Sequence, residues 1–171
     1  LSWRRQQLGF TLLELLVVLT IIAILSLLVV PSFVSFIEEF HVTSAGEDLL
    51  YNLQYARSEA IKRNTNIYVT FNTTDPWCYG INVGSTCSCT SSGNCTLGSF
   101  SITKTQTEVM TTKGLSGGSI IFEGTRGATT NGASEIIFTV YGQTTAMGVS
   151  VTQIGNMTMC SSTIAGYSAC P

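Results

Sequence analysis

Six cysteines, at 78, 87, 89, 95, 160 and 170, carry the most evident chemistry of this sequence. An even number suits a disulfide framework, but six cysteines admit many pairings and spacing alone selects none. A metal site at Cys87-Ser88-Cys89 with Cys95 is the competing chemistry. It lacks the paired C-x-x-C spacing of zinc sites and has no histidine beside it. The single histidine, His41, lies in a helical stretch, and no strand-end serine and acid assemble with it into a catalytic set. It reads as a surface or groove residue. Gly114-Leu115-Ser116-Gly117-Gly118 is glycine-rich but leads into no helix that would aim amides at a phosphate, so it reads as a loop. Glu14 stands apart as the one charge inside an otherwise apolar run from residue 10 to 30. An acidic side chain at membrane depth costs about 2.5 to 3.5 kcal/mol on insertion scales, so this carboxylate needs a compensating partner or a boundary position.

The elements that would position these groups follow from an uneven composition. Across 171 residues, 44% are apolar and only 11% charged, with eight basic against ten acidic residues and a net charge of −2. That is one domain's worth of chain, with no positive field to attract nucleic acid or an anionic membrane surface. The apolar run from 10 to 30 makes a helix of roughly 31 Å, matching a hydrocarbon core of about 30 Å. Arg4 and Arg5 precede it and Glu38 and Glu39 follow it. The positive-inside rule therefore puts residues 1–9 in the cytoplasm and the remainder, with every cysteine, on the oxidising side. A secretory signal peptide would have a shorter core and a small-residue cleavage site, which this run lacks.

Pro31 would kink or loosen the helix rather than necessarily end it. Beyond it Phe33, Phe36, Ile37, Phe40, Leu49, Leu50, Leu53, Ala56, Ala60 and Ile61 recur at helical spacing, a stripe for a domain to cover, with Gly46 as a weak point. Lys62 and Arg63 suit the negative end of the helix dipole and Asn64 suits a cap, so a helix from Phe10 to Arg63 would run about 80 Å. From Asn66 onward short alternating runs predict strands over 67–72, 77–83, 100–103, 108–111, 119–122, 135–141, 149–153 and 157–160. Asp-Pro, Gly-Ser, Gly-Gly and Asn-Gly steps punctuate them, giving an antiparallel β-sheet head.

Gly9-Phe10-Thr11-Leu12-Leu13-Glu14-Leu15, behind a basic leader and ahead of a spanning run, resembles the class III signal of type IV pilins and type II secretion pseudopilins. The resemblance implies an α+β type IV pilin fold, with a long N-terminal helix packed against an antiparallel two-sheet head. It implies a cleaved leader at 1–9, a transmembrane helix at 10–30, an amphipathic stalk at 31–64 and a periplasmic or extracellular head at 65–171. Prepilin peptidase would cut between Gly9 and Phe10 and methylate the new amine of Phe10. Glu14 would pair with the N-terminal amine of an adjacent subunit during assembly. Loss of Arg4 and Arg5 would leave six basic against ten acidic residues, a mature charge of −4. The stretch from Leu53 to Asn64 is similar to the signature of the FimT, FimU and GspH subfamily. Its charged residues also admit a plain structural reading, with Glu59 paired to Lys62 or Arg63 and the charges facing water. The subfamily's layout and the short C-terminal loop favour Cys160 with Cys170, leaving Cys78, Cys87, Cys89 and Cys95 for two bridges of unknown pairing.

The function this implies is structural: a minor pilin in the initiation or tip complex of a pilus, with other pilins, prepilin peptidase and the inner membrane as partners. No enzyme activity, cofactor, metal or small-molecule substrate is implied. A type II secretion pseudopilin is the alternative. DNA-binding members of the FimT branch carry a basic Gly-Arg-x-Arg motif near the C-terminus. Here Gly155-Asn156-Met157-Thr158-Met159 keeps the glycine and lacks both arginines, which argues against nucleic acid.

Overall fold

The computed structural model describes residues 10–74, 76–91, 93–101, 108–130, 132–140 and 144–171, with the side chains of 28–32 and 116 outside the description. The expected leader with Gly9, the expected strand ends at Thr103 and Tyr141, and Lys104 fall outside these residues. One helix, α1 (Leu12–Arg63), continues through position 31. It ends where its sequence asks it to. Asn64 takes a left-handed conformation at φ 49°. Its amide donates to the carbonyl of Ile61 and the amide of Thr65 to that of Ala60, each at 3.2 Å. This pair of bonds is a Schellman cap, which closes two carbonyls the helix end would otherwise leave open.

The chain divides into two compact units after Ile37. In the first, every described side chain is exposed. Among the described residues no helix is long and apolar enough to cross a membrane. Side chains 28–30 belong to the apolar run but lie outside the description.

The second unit holds the rest of α1 and two four-stranded antiparallel sheets. Sheet A orders β3 (Gly98–Ser101), β2 (Cys78–Val83), β1 (Ile67–Asn72) and β5 (Ser119–Phe122). Sheet B orders β4 (Glu108–Lys113), β6 (Ser134–Val140), β7 (Ala146–Val151) and β8 (Met157–Cys160). Val69 faces Ile81 on one side and Ile120 on the other, while Ile136 faces Val149. β1 alternates buried and half-buried side chains along its length, the pattern of a strand with one face on a core. Trp77 and Phe138, with ring centroids 5.1 Å apart, join the two sheets' sides of that core.

The helix contributes Val42, Leu49, Leu53, Ala56 and Ala60, all fully buried. Gly46 completes their spacing of three and four. A Cβ at Gly46 would come within 2.8 Å of Met147 Cγ and 3.3 Å of Met159 Cε. The glycine is therefore a close-packing position against sheet B, not merely a weak point. The expected stripe is corrected at both ends, because Phe33, Phe36, Phe40 and Ile61 stay exposed and the covered face begins at Val42. Spacing identifies an apolar face; it does not say which part of that face a domain reaches. β7 also begins three residues earlier than expected, because Ala146 and Met147 pair with Thr139 and Phe138 of β6.

β2 departs from alternation, with its first five residues buried on both faces. The disulfide Cys87–Cys95 lies over its outer face, and a Cβ at Gly80 would overlap Cys95 Sγ and reach 2.8 Å from Cys87 Sγ. Sheet B repeats the arrangement. A Cβ at Gly148 of β7 would sit 2.7 Å from Cys170 Sγ and 2.9 Å from Cys160 Sγ. A glycine in the strand makes room for each bridge.

Candidate functional site

Two sets of residues carry the functional question: the start of α1 and the face of the second unit near the end of that helix. At the start, Phe10 is exposed and Thr11 caps the helix, its hydroxyl accepting the amide of Glu14 at 3.2 Å. The carbonyl of Thr11 accepts the first helical bond, from Leu15. Thr11 and Glu14 thus have the S/T-x-x-E spacing of a capping box, a signal legible in the sequence. The placement has an electrostatic consequence. Glu14 occupies the first turn of α1, where the helix dipole favours negative charge by roughly 0.3 to 1 kcal/mol. No cation pairs with its carboxylate among the described residues. Beside it Leu12, Leu15, Leu16, Leu19, Thr20 and Ala23 line a shallow, open groove of about 350 Å³ on the exposed helix. Such a stripe, with small residues between large ones, is what close helix-to-helix packing uses.

In the second unit two charged residues of Leu53 to Asn64, Arg57 and Glu59, are less exposed than their sequence suggests. Glu59 is buried, where the sequence reading has it facing water. Its two oxygens accept from Lys62 Nζ at 3.1 Å and Arg63 Nε at 2.6 Å. The hydrogen bond from Arg63, then that from Lys62, holds the Glu59 carboxyl below its ordinary pKa. The cations are the exposed partners: the helix's last turn brings them over a carboxylate that packing has covered.

Arg57 also turns inward. Its Nε donates to the carbonyl of Gly127 at 3.1 Å and its Nη2 to that of Ile154 at 3.3 Å. Gly127 and Gly155 hold φ of 63° and 79°, and a Cβ at either would crowd Arg57. Arg57→Ala is expected to lower unfolding free energy by about 1.5 to 3 kcal/mol, the range for hydrogen bonds to a charged group. Denaturant titration checks this, and Arg57→Lys should recover only part of the loss because an ammonium cannot span both carbonyls.

The cysteines form three bridges: Cys78–Cys89, Cys87–Cys95 and Cys160–Cys170, with Cα separations of 5.9, 5.4 and 4.9 Å. No free cysteine remains to ligate a metal. Glu135 does lie close to Cys160 and Cys170, but a disulfide offers no thiolate. The loop Ser116–Gly118 is a single tight turn into β5, with Gly117 and Gly118 both at positive φ. His41 finds a carboxylate that the sequence could not assign to it: its Nδ1 lies 3.4 Å from Glu108 Oε1 at the start of β4. Burial pushes the Glu108 carboxyl above its ordinary pKa, against the opposing effect of His41.

Gly155 and Asn156 lie on the turn from β7 to β8 and Met157 and Met159 in β8, so neither arginine of the basic motif stands there. Arg57 beside that turn is engaged with backbone carbonyls.

A long helix packed on two antiparallel sheets is the geometry of known pilin heads. Residues 45–168 match the family described as type II transport protein GspH. The chain belongs to the GspH family. Residues 4–30 of this GspH-family chain also match the prokaryotic N-terminal methylation motif. Its fold is similar to that of the type IV minor pilin FimU of Pseudomonas aeruginosa, at 22% identity and a TM-score of 0.57, covering 72% of this chain and 91% of that one. A second crystal form of FimU gives 23% identity and a TM-score of 0.53, covering 68% and 90%. The minor pseudopilin EpsH of the Vibrio cholerae type 2 secretion system shares the fold at 10% identity and a TM-score of 0.53, covering 72% and 98%. No curated protein matches the chain.

Proposed function

We propose that this GspH-family chain is a minor type IV pilin of the FimU-like kind, acting in the initiation or tip complex of a pilus. What supports the reading is the pairing, on one chain, of the N-terminal methylation motif at 4–30 with the GspH domain at 45–168. Residues 1–9 are a leader that prepilin peptidase removes, cutting between Gly9 and Phe10 and methylating the amine of Phe10. Residues 10–30 cross the inner membrane once, with the N-terminus cytoplasmic, and the unit carrying the sheets stands in the periplasm until the subunit joins a filament. Glu14 neutralises the N-terminal amine of an adjacent subunit, and neighbouring pilins pack helix to helix along the exposed apolar residues. The reading assigns no reaction and no cofactor to the chain.

The family description supports a second reading, a pseudopilin of type II secretion. Deleting the gene separates the two. The pilus reading expects at least a tenfold fall in sheared surface filaments with secreted enzymes unchanged, together with recovery of the subunit in sheared filaments well below the major pilin. Loss of protein secretion with normal piliation would overturn it in favour of the pseudopilin.

A further inference from the structure

Glu135 is a buried carboxylate without a part in the proposed function. It stands on β6 at 4% exposure, and its two oxygens meet different neighbours. Oε2 lies 3.4 Å from Nζ of Lys113 on β4, whose side chain is 67% exposed. Oε1 lies 3.8 Å from Sγ of Cys160, the last residue of β8, which is bridged to Cys170. The carboxylate and the two sulfurs fall within 4.8 Å of one another, and no charged side chain but Lys113 pairs with Glu135 among the described residues.

The sulfur contact changes meaning with the state of the bridge. A bridged sulfur has no proton to give, so in the closed state Oε1 is a buried acceptor without a donor among the described residues, a costly condition for a carboxylate oxygen. In the dithiol state Cys160 carries an S–H, and the same oxygen accepts it in a charge-assisted hydrogen bond. Cys160 keeps its place in either state, because the pairing of β8 with β7, from Val151 with Met157 to Gly148 with Cys160, does not involve Cys170. The carboxylate therefore favours the open form over the closed one. Lys113 works against it, since an ammonium at Oε2 satisfies part of the same charge in both states.

We propose that Glu135 tunes the Cys160–Cys170 bridge as a redox-responsive clasp on the C-terminal segment, stabilising the Cys160 thiol that opening creates. Cys160 is 2% exposed and Cys170 half-buried, so the thiolate of a dithiol reductant attacks Cys170 Sγ. Cys160 Sγ leaves with the electron pair of the broken S–S bond, takes a proton from solvent and presents it to Glu135. The reductant's second thiolate then displaces Cys170 as a thiolate that a second solvent proton neutralises, so the reductant ends as its own disulfide and the chain as a dithiol. Ser161 and Thr163 stay tied to Ala146 by hydrogen bonds, so opening loosens the chain that follows them.

The full chain in uncharged micelles, equilibrated against mixtures of reduced and oxidised dithiothreitol, tests this. Thiol alkylation and mass spectrometry of the fragment holding Cys160 and Cys170 give the reagent ratio at which this bridge is half-reduced. Glu135→Gln keeps the shape and removes the charge, and is expected to need at least about threefold more reductant. Lys113→Gln, at an exposed position, leaves the carboxylate to the sulfur alone and is expected to move the ratio at least about twofold in the opposite direction. The Cys87–Cys95 bridge, read in the same spectra, should stay within about twofold in both variants, which separates an effect on one bridge from a general loss of stability. The proposal is overturned by a smaller shift in either variant, by both variants moving the bridge in the same direction, or by Cys87–Cys95 shifting as far as Cys160–Cys170.

Discussion

Glu14→Val is expected to leave cleavage at Gly9 and methylation of Phe10 unchanged while reducing incorporation of the subunit into filaments at least tenfold. The argument is electrostatic. An ammonium and a carboxylate are each costly at membrane depth and become tolerable as a pair. At about 4 Å and an effective dielectric near 20 their attraction is roughly 4 kcal/mol, and even a third of that is a tenfold change in an equilibrium. Glu14 has no described ion-pair partner within its own chain, so its charge remains available for a neighbour's amine. Loss of its place in the first helical turn would cost only about 0.3 to 1 kcal/mol, too little to explain failed assembly. Glu14→Gln separates charge from shape and should behave like valine. Mass spectrometry of the processed N-terminus and immunoblots of sheared filaments read the two steps independently. Normal incorporation of the valine variant would remove the assigned role.

The second large effect concerns the glycine beneath the C-terminal bridge. Gly148→Ala places a methyl 2.7 Å from Cys170 Sγ and 2.9 Å from Cys160 Sγ, with the Ile136 carbonyl 3.5 Å away on the strand beside it. Overpacking of this kind costs about 1 to 3 kcal/mol. Removing the bridge by Cys160→Ala with Cys170→Ala costs about 2 to 4 kcal/mol in its own right. The two changes should not add. Without the sulfurs the new methyl enters vacated space, so in that background Gly148→Ala is expected to cost less than about 0.5 kcal/mol, leaving a coupling of at least about 0.5 kcal/mol. Denaturant unfolding of the four proteins gives the cycle, and strict additivity would show that the close approach carries no strain.

Much of the architecture was legible because it rests on local rules. The strands over 67–72, 119–122 and 157–160 are found at the expected bounds. Asn64 after Lys62 and Arg63 carries the chemistry of a left-handed cap and forms one. What failed to show in the sequence depends on contacts between distant residues. The pairing of His41 with Glu108 joins a helix to a strand far along the chain. Gly80 looks like a break in a strand until the bridge above it is seen. Phe40 shares the period of Leu49 and Leu53, yet it stays exposed where the latter pair is fully buried, since periodicity is blind to where the covering layer ends. At the proposed assembly site the limits were different. The residue types at Gly9, Phe10 and Glu14 speak through a motif, whereas the cap made by Thr11 was open to a simple spacing rule.

Arg57 has a mechanical meaning as well as a stabilising one. Gly127 lies on the connection that leaves sheet A after β5, and Ile154 on the turn between β7 and β8 of sheet B. A single guanidinium on α1 therefore ties the connection between the sheets to the turn before β8. Tension applied along that helix would reach the connection after β5 and the turn before β8 through two bonds loaded in parallel, beside the buried face of the helix.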